Sequence, residues 1–225
     1  MMYSIFIHTH TDCADALEIC LGQLKTYLPD NKIYISINEE HDLVKDHVVF
    51  LYDENTPYTK RVVDALSQIE EDIILYLHED MFLYDTPQYE KIEKCIKEIK
   101  NSDIDMIKLI KTNHSGYGFA VQPSLWKRES FLRLLDGVFL NIWELEVQIQ
   151  DKFNREFNGF EYSDGSETLR GLGHFDSTIF PYTATAIISG MWNDWEYENE
   201  INTLIKKYNI KSKRKMRSSA GERGK

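Results

Sequence analysis

The run Ile73-Ile74-Leu75-Tyr76-Leu77-His78-Glu79-Asp80-Met81-Phe82 joins an apolar strand directly to two adjacent carboxylates. A strand without polar alternation is buried on both faces, as in a parallel sheet covered by helices, and open α/β sheets bind ligands beyond the carboxyl ends of their strands. Glu79 and Asp80 occupy that position. Hard carboxylate oxygens there suit Mg²⁺ or Mn²⁺ held against a phosphorylated ligand, while the plain alternative is a polar turn that ends the strand. Side chains alternate along an extended chain, so one of the two acids, Asp80, is expected to face the ligand crevice and Glu79 to turn away.

A second chemical position follows the first strand, in Ile7-His8-Thr9-His10-Thr11-Asp12. Asp12 fits the N-cap of the next helix, and the same turn can accept hydrogen bonds from a ribose or base; one carboxylate can do both. Arg61 lies in the first turn of another helix, where the dipole disfavours a cation. A nearby anion resolves that conflict, either Asp64 or Asp80 or a ligand phosphate held with the helix N-terminus.

The third position is the helix after Asn141. Asn141 and Glu144 have capping-box spacing, which explains Glu144 structurally. Glu146 has no such explanation. At about 100° per residue it falls roughly 40° from Ile142, within the apolar stripe of Leu145, Ile149, Phe153 and Phe157. A carboxylate there must be paired, with Arg155 or Lys127 for instance, or must face a pocket as a general base.

The elements that position these groups alternate between strand and helix periodicity. Strands are predicted at 3–8, 32–38, 47–52, 73–77, 104–110, 117–122 and 182–188, and helices at 13–27, 59–69, 88–100, 127–135, 142–157 and 195–208. This is α/β patterning with helices flanking a sheet. Residues 158–177 lack periodicity, as functional loops and lids do. With 225 residues, 42% of them hydrophobic, the chain can bury one full core. A single domain is expected over residues 1–210.

The last fifteen residues hold seven of the 26 Lys and Arg but one of the 37 Asp and Glu, so residues 1–210 carry a net charge of about −17. So acidic a body repels nucleic acid. The basic stretch 211–225 is expected to be disordered, either as a solvated terminus or as a contact with an anionic membrane surface, and its removal is expected to leave folding unchanged. No run reaches the ~20 apolar residues of a membrane span and no signal peptide is evident, so a soluble, cytoplasmic protein is expected. Cys13, Cys20 and Cys95 lack metal-site spacing and are expected to be reduced packing residues.

Taken in order, Tyr76-Leu77-His78-Glu79-Asp80-Met81-Phe82-Leu83, Leu125-Trp126-Lys127-Arg128-Glu129, Asn141-Ile142-Trp143-Glu144-Leu145-Glu146 and Pro181-Tyr182 leading to Gly190-Met191-Trp192-Asn193 resemble the small GT-A-type glycosyltransferases of bacterial glycan clusters and large DNA viruses. The likeness runs from about Tyr3 to Tyr208. It implies a Rossmann-type, mainly parallel sheet and a UDP- or GDP-sugar donor. It also implies Mn²⁺ or Mg²⁺ near Asp80 and Glu79, and transfer to a glycan or other hydroxyl acceptor, inverting, with Glu146 as base and Glu144 as the acid beside it. The donor-facing set is then Thr9, His10, Asp12, Arg61, His78 and Glu79, with Trp143 and Tyr182 at the acceptor. Two departures stand out: His78-Glu79-Asp80 replaces Asp-x-Asp, and Met191 stands where a basic residue is expected. His114 and His174 are further candidates for the metal shell, and Trp126, Tyr162, Phe175 and Trp192 for sugar stacking. The acid pair alone also fits a metal-dependent nucleotidyltransferase or phosphohydrolase, and a non-catalytic nucleotide- or glycan-binding module shares the same features.

Overall fold

The computed structural model describes residues 3–113, 118–171 and 173–217. Its strands are β1 Ser4–His8, β2 Ile33–Ile37, β3 Val48–Leu51, β4 Ile73–His78, β5 Met106–Lys108, β6 Ser124–Lys127, β7 Gly159–Glu161, β8 Leu169–Arg170, β9 His174–Phe175, β10 Ile187–Ile188 and β11 Met191–Trp192. The helices are α1 Ala14–Tyr27, α2 Tyr58–Leu66, α3 Tyr89–Asn101, α4 Arg128–Leu135, α5 Ile142–Gln148, α6 Gln150–Glu156 and α7 Asp194–Tyr208.

Seven strands form one sheet in the order β3-β2-β1-β4-β6-β5-β7. β3, β2, β1 and β4 run parallel, β6 runs antiparallel to both neighbours, and β5 pairs parallel with β7. All five residues of β1 and of β2 are buried, as are the first five of β4, because helices cover both faces. The expected single domain with a mixed, mainly parallel sheet is what the chain forms. Among the described residues no helix is long and apolar enough to cross a membrane. Cys13, Cys20 and Cys95 are free thiols.

Four segments differ from their expected form, the first being 158–177, read as an aperiodic loop, which contains β7 paired with β5 and the β8–β9 pair. The strand predicted at 117–122 moves to β6, because the backbone of 119–121 bonds to helix side chains instead of a ladder. Gln150 takes the Phe119 amide and carbonyl, and Glu146 takes the Val121 amide. The predicted helix 142–157 is two helices, although bonds from Ile149 N to Leu145 O and from Phe153 N to Ile149 O carry the turn across the junction. Of 182–188, only Ile187 and Ile188 form a strand. The stretch before them runs beside residues 80–84, with Thr183 N bonded to Phe82 O and Ala186 N to Asp80 O. The two-residue turn to β11 is Ser189-Gly190, both at positive φ (51° and 77°), as a tight hairpin requires.

The folded body also extends past residue 210. Lys215 O accepts from Trp192 N, Arg217 N donates to Trp192 O, and Arg217 O accepts from Trp195 N, so residues 215–217 lie alongside β11. Arg214 forms an ion pair with Asp15 at 3.0 Å, both side chains being mostly buried. The expected unpacked tail therefore begins no earlier than 218, and residues 218–225 lie outside the described residues. Arg214→Ala, which removes the charge partner of Asp15 and leaves it the Ser212 hydroxyl and Ala16 amide, is expected to reduce stability by about 2 kcal/mol, lowering the melting temperature by roughly 4–8 °C in calorimetry. Unchanged melting would return the segment to the status of a solvated tail.

Candidate active site

β4 ends between β1 and β6, and the chain turns immediately after His78, so Glu79 and Asp80 meet the end of β1 and the β10–β11 hairpin. Glu79 is 8% exposed. Burial pushes its carboxyl above the ordinary range, opposed by hydrogen bonding at its own backbone, by the Cys13 and Thr9 side chains and by the Arg214 charge. Asp80 is partly open, and its Oδ2 accepts from Ile187 N at 3.3 Å. Burial, and secondly the charge of Glu79, push Asp80 up to about 7. These directions are those of two carboxylates lacking a full complement of positive charge.

Arg214 supplies part of that charge. Its guanidinium bonds Asp15, Asp12 O at 2.7 Å, Gly190 O at 3.4 Å and Cys13 Sγ at 3.5 Å, tying the turn after β1 to the hairpin beside the acids. Sequence reading expected a basic residue at the position of Met191 and assigned Arg214 to a tail. Arg214, one of three arginines in a basic stretch, carries no periodic signal, and the pairing of 215–217 with β11 brings it to the site.

Beside the acids lies a second cluster that sequence reading missed apart from His78. His78 Nε2 meets the hydroxyls of Tyr58 and Tyr76, each at 2.8 Å, and the two hydroxyls also bond each other. Burial pushes His78 down to about 4 and is the largest cause pushing His8 well down, so both rings are neutral near pH 7. Both tyrosines are pushed up, chiefly by burial, and the Glu146 and Glu79 carboxylates add to this in each case. Glu146 and Glu79 thus act on the same two hydroxyls, from α5 and from the end of β4.

Glu146 Oε1 accepts from Val121 N at 2.6 Å. It pairs with neither of the expected cations: Arg155 bonds Glu156 and Lys127 bonds Ser102 O. It lines a cavity of about 290 Å³ with Ile110, Thr112, Ala120, Gln122 and His174. Glu144 forms the expected capping box with Asn141, which engages its carboxylate at the helix end. Trp143 is 79% exposed on the same helix. Tyr182 is buried and donates to Gln122 Oε1 at 2.7 Å, so it reaches the cavity through Gln122. His174 bonds the Tyr197 hydroxyl at 2.8 Å, and His114 lies outside the described residues. Trp126 and Trp192 are core residues, each 1% exposed.

The β1 side corrects two expectations. Asp12 is not the N-cap: the His10 ring accepts from Asp12 N at 3.0 Å and caps the short 3-10 turn Thr11–Cys13, leaving the Asp12 side chain 90% exposed. The imidazole competes successfully because the turn places its Nδ1 over that amide. Arg61 pairs with neither Asp64 nor Asp80; it donates to the carbonyls of Thr56 and Glu54 and lies 4.5 Å over the Tyr52 ring. The loop that ends before α2 thus supplies its counter-dipoles. His10 Nε2 meets Glu54 at 2.9 Å, and Tyr52 donates to Thr9 O at 2.8 Å. Thr9, His78, Glu79 and Asp80 therefore lie together at the carboxyl ends of β1 and β4, with His10, Asp12 and Arg61 on the β1 side and Glu146 on α5.

No protein-family profile matches the chain, and no curated protein matches it in sequence. Solved structures do match in fold. The glycosyltransferase GlyE of Streptococcus pneumoniae aligns with a TM-score of 0.52 at 13% identity over 73% of this chain and 46% of that one. A mannosyltransferase of Pyrobaculum calidifontis, solved with GDP-Man and Mn²⁺, aligns at 0.51 and 12% identity over 72% and 55%. The bifunctional IspDF of Campylobacter jejuni aligns at 0.49 and 10% identity over 75% and 52%. The chain thus spans about half the length of these proteins. At these identities the likeness is one of fold, a mixed, mainly parallel sheet flanked by helices.

Proposed function

We propose that this chain is a glycosyltransferase that moves a sugar from a nucleotide-sugar donor to a hydroxyl acceptor with inversion, Glu146 acting as base. The observation that carries the reading is the placement of two separate acidic functions beside one Tyr58-Tyr76-His78 cluster. The Glu79-Asp80 pair lies at the carboxyl end of β4, and Glu146 lies across the Tyr58-Tyr76-His78 cluster, lining its own cavity. Glycosyl transfer needs both functions at once, positive charge for the departing nucleoside diphosphate and a base for the acceptor hydroxyl.

The donor side is suited to a divalent cation. Among the described residues no cluster of three or more His, Cys, Asp and Glu side chains is placed to hold a metal alone. Two carboxylates with raised proton affinity fit Mn²⁺ or Mg²⁺ shared with substrate phosphates, the usual mode for such ions. Asp80 would be the principal ligand and Glu79 the second. When bound, the ion supplies charge to the diphosphate. Arg214, fixed beside both acids, holds a permanent positive charge at the same edge, in the role that sequence reading sought at Met191.

At the acceptor, Glu146 is oriented by the Val121 amide, which leaves its second oxygen for a hydroxyl proton. The neutral His78 ring meets both tyrosine hydroxyls through Nε2 and holds that cluster together. Trp143 offers an exposed apolar face to the acceptor.

A thermal-shift panel of UDP-, GDP-, dTDP- and CMP-sugars, each with and without Mn²⁺, tests the donor assignment. A ligand that binds only the folded state adds RT ln(1 + [L]/Kd), about 2.7 kcal/mol at a hundredfold excess over Kd. UDP- or GDP-sugars are expected to raise the melting temperature, and more so with Mn²⁺. Silence across the panel removes the reading. Among binders, intact nucleoside diphosphate as product supports sugar transfer, whereas pyrophosphate release identifies a nucleotidyltransferase.

A further inference from the structure

The cavity against Glu146 has a lining that narrows what can enter. Gln122 is held at both ends of its amide: Oε1 accepts from the Tyr182 hydroxyl at 2.7 Å and Nε2 donates to Ala184 O at 3.0 Å. The carbonyl of Ala184 fixes which end is nitrogen, because a flipped amide would set oxygen against oxygen. A primary amide has two N–H donors and an oxygen with two lone pairs, so one donor and one acceptor remain. Adjacent hydroxyls on a ring match such a donor-acceptor pair.

The same lining disfavours anions. Glu146 faces the cavity, and no Lys or Arg is among its described lining residues. The cations nearest in sequence are engaged elsewhere: Lys108 is fully buried against Glu161 at 2.7 Å, and the Lys111 ammonium lies 4.7 Å over the Phe175 ring. His174, bonded to the Tyr197 hydroxyl, is pushed by burial towards the neutral form. An acidic ligand entering here would face Glu146 in partly desolvated surroundings without a counter-charge.

We propose, resting on the glycosyl-transfer reading, that this cavity is an acceptor subsite for an uncharged, hydroxyl-rich sugar ring, with Gln122 the residue that selects it. The ring sits with one hydroxyl at Glu146 and an adjacent pair at the free donor and acceptor of Gln122.

Saturation-transfer NMR on the full chain with matched probes tests this. Methyl β-galactoside is set against methyl β-galacturonide, and methyl β-glucoside against methyl β-glucuronide; the members of each pair differ only at C6. The neutral member of at least one pair is expected to bind about tenfold or more tightly than its acid. Glu146→Gln should narrow that preference by removing the repelling charge. Gln122→Met, similar in shape but unable to hydrogen-bond, should weaken the neutral probe by about tenfold while the nucleotide-sugar melting shift persists. Should Gln122→Met fail to fold, the wild-type pairs and Glu146→Gln still decide. Acids that bind as well as neutral sugars, or no binding by either, overturn the subsite; if nucleotide-sugars still shift the melting temperature, the transferase reading survives that loss. Neutral preference without any nucleotide-sugar binding keeps the cavity as a sugar site and removes the transferase.

Discussion

Glu146→Gln is expected to lower kcat by roughly 10² or more while leaving the melting temperature and donor affinity near those of the parent, since general-base catalysis typically contributes 10²–10⁴. The amide oxygen of Gln can still accept from Val121 N, which now bonds Glu146 at 2.6 Å, so the 119–121 segment keeps its anchor. No Lys or Arg is paired with Glu146 by the ion pairs seen, so neutralising it strands no partner. Glu144→Gln is the matched control. Glu144 closes the capping box with Asn141, and altering a cap costs about 1 kcal/mol or less of stability with kcat almost unchanged. Steady-state kinetics and melting on one preparation of each variant suffice. A stable Glu146→Gln enzyme with near-normal turnover removes Glu146 from the mechanism.

Asp80→Asn is expected to weaken donor binding in the presence of Mn²⁺ by roughly 10², about 2.7 kcal/mol, and Glu79→Gln by far less. Asp80 is the more open of the two acids, whereas Glu79 is 8% exposed beside Thr9 and Cys13. The same substitution should raise the melting temperature of the metal-free protein. An ordinary aspartate titrates near 4 and Asp80 is pushed up to about 7, first by burial and then by Glu79. Between those pH values the folded protein retains a proton that the unfolded chain has released. Stability of the metal-free protein therefore falls as pH rises from about 4 to about 7, and Asn removes that contribution. Added Mn²⁺ should oppose the slope in the parent alone. Equal losses at both positions would show that the two acids act as joint ligands, and a donor affinity untouched by Asp80→Asn would remove the acid pair from donor binding.

What the sequence showed of the fold was decided by periodicity. β1, β2, β4, α1 and α3 are regular, and their apolar runs locate them to within a residue or two. The misplaced strand at 117–122 failed for a different reason. Its backbone is satisfied by Glu146 and Gln150, residues on helices about 25 to 31 positions later, and no local pattern reveals such a partner. At the site, the acid pair stood out because an apolar strand runs straight into it, although two carboxylates at a strand end are common and equally suit a plain turn. Tyr58 and Tyr76 were hidden as ordinary apolar-face residues, since only their meeting at His78 gives their hydroxyls a role. His10 displaced Asp12 as the cap because ring geometry, which composition does not encode, favoured the imidazole.

The Asp15–Arg214 ion pair spans 199 residues of chain. Synthesis proceeds from the N-terminus, so this contact becomes available only after all seven strands of the main sheet have been made, and its loop-closure entropy is met late. The acid pair is therefore assembled before its fixed counter-charge arrives. Refolding should regain sheet structure in an earlier phase than donor-binding competence, and removing residues 211–217 should leave the first phase intact while the second is lost.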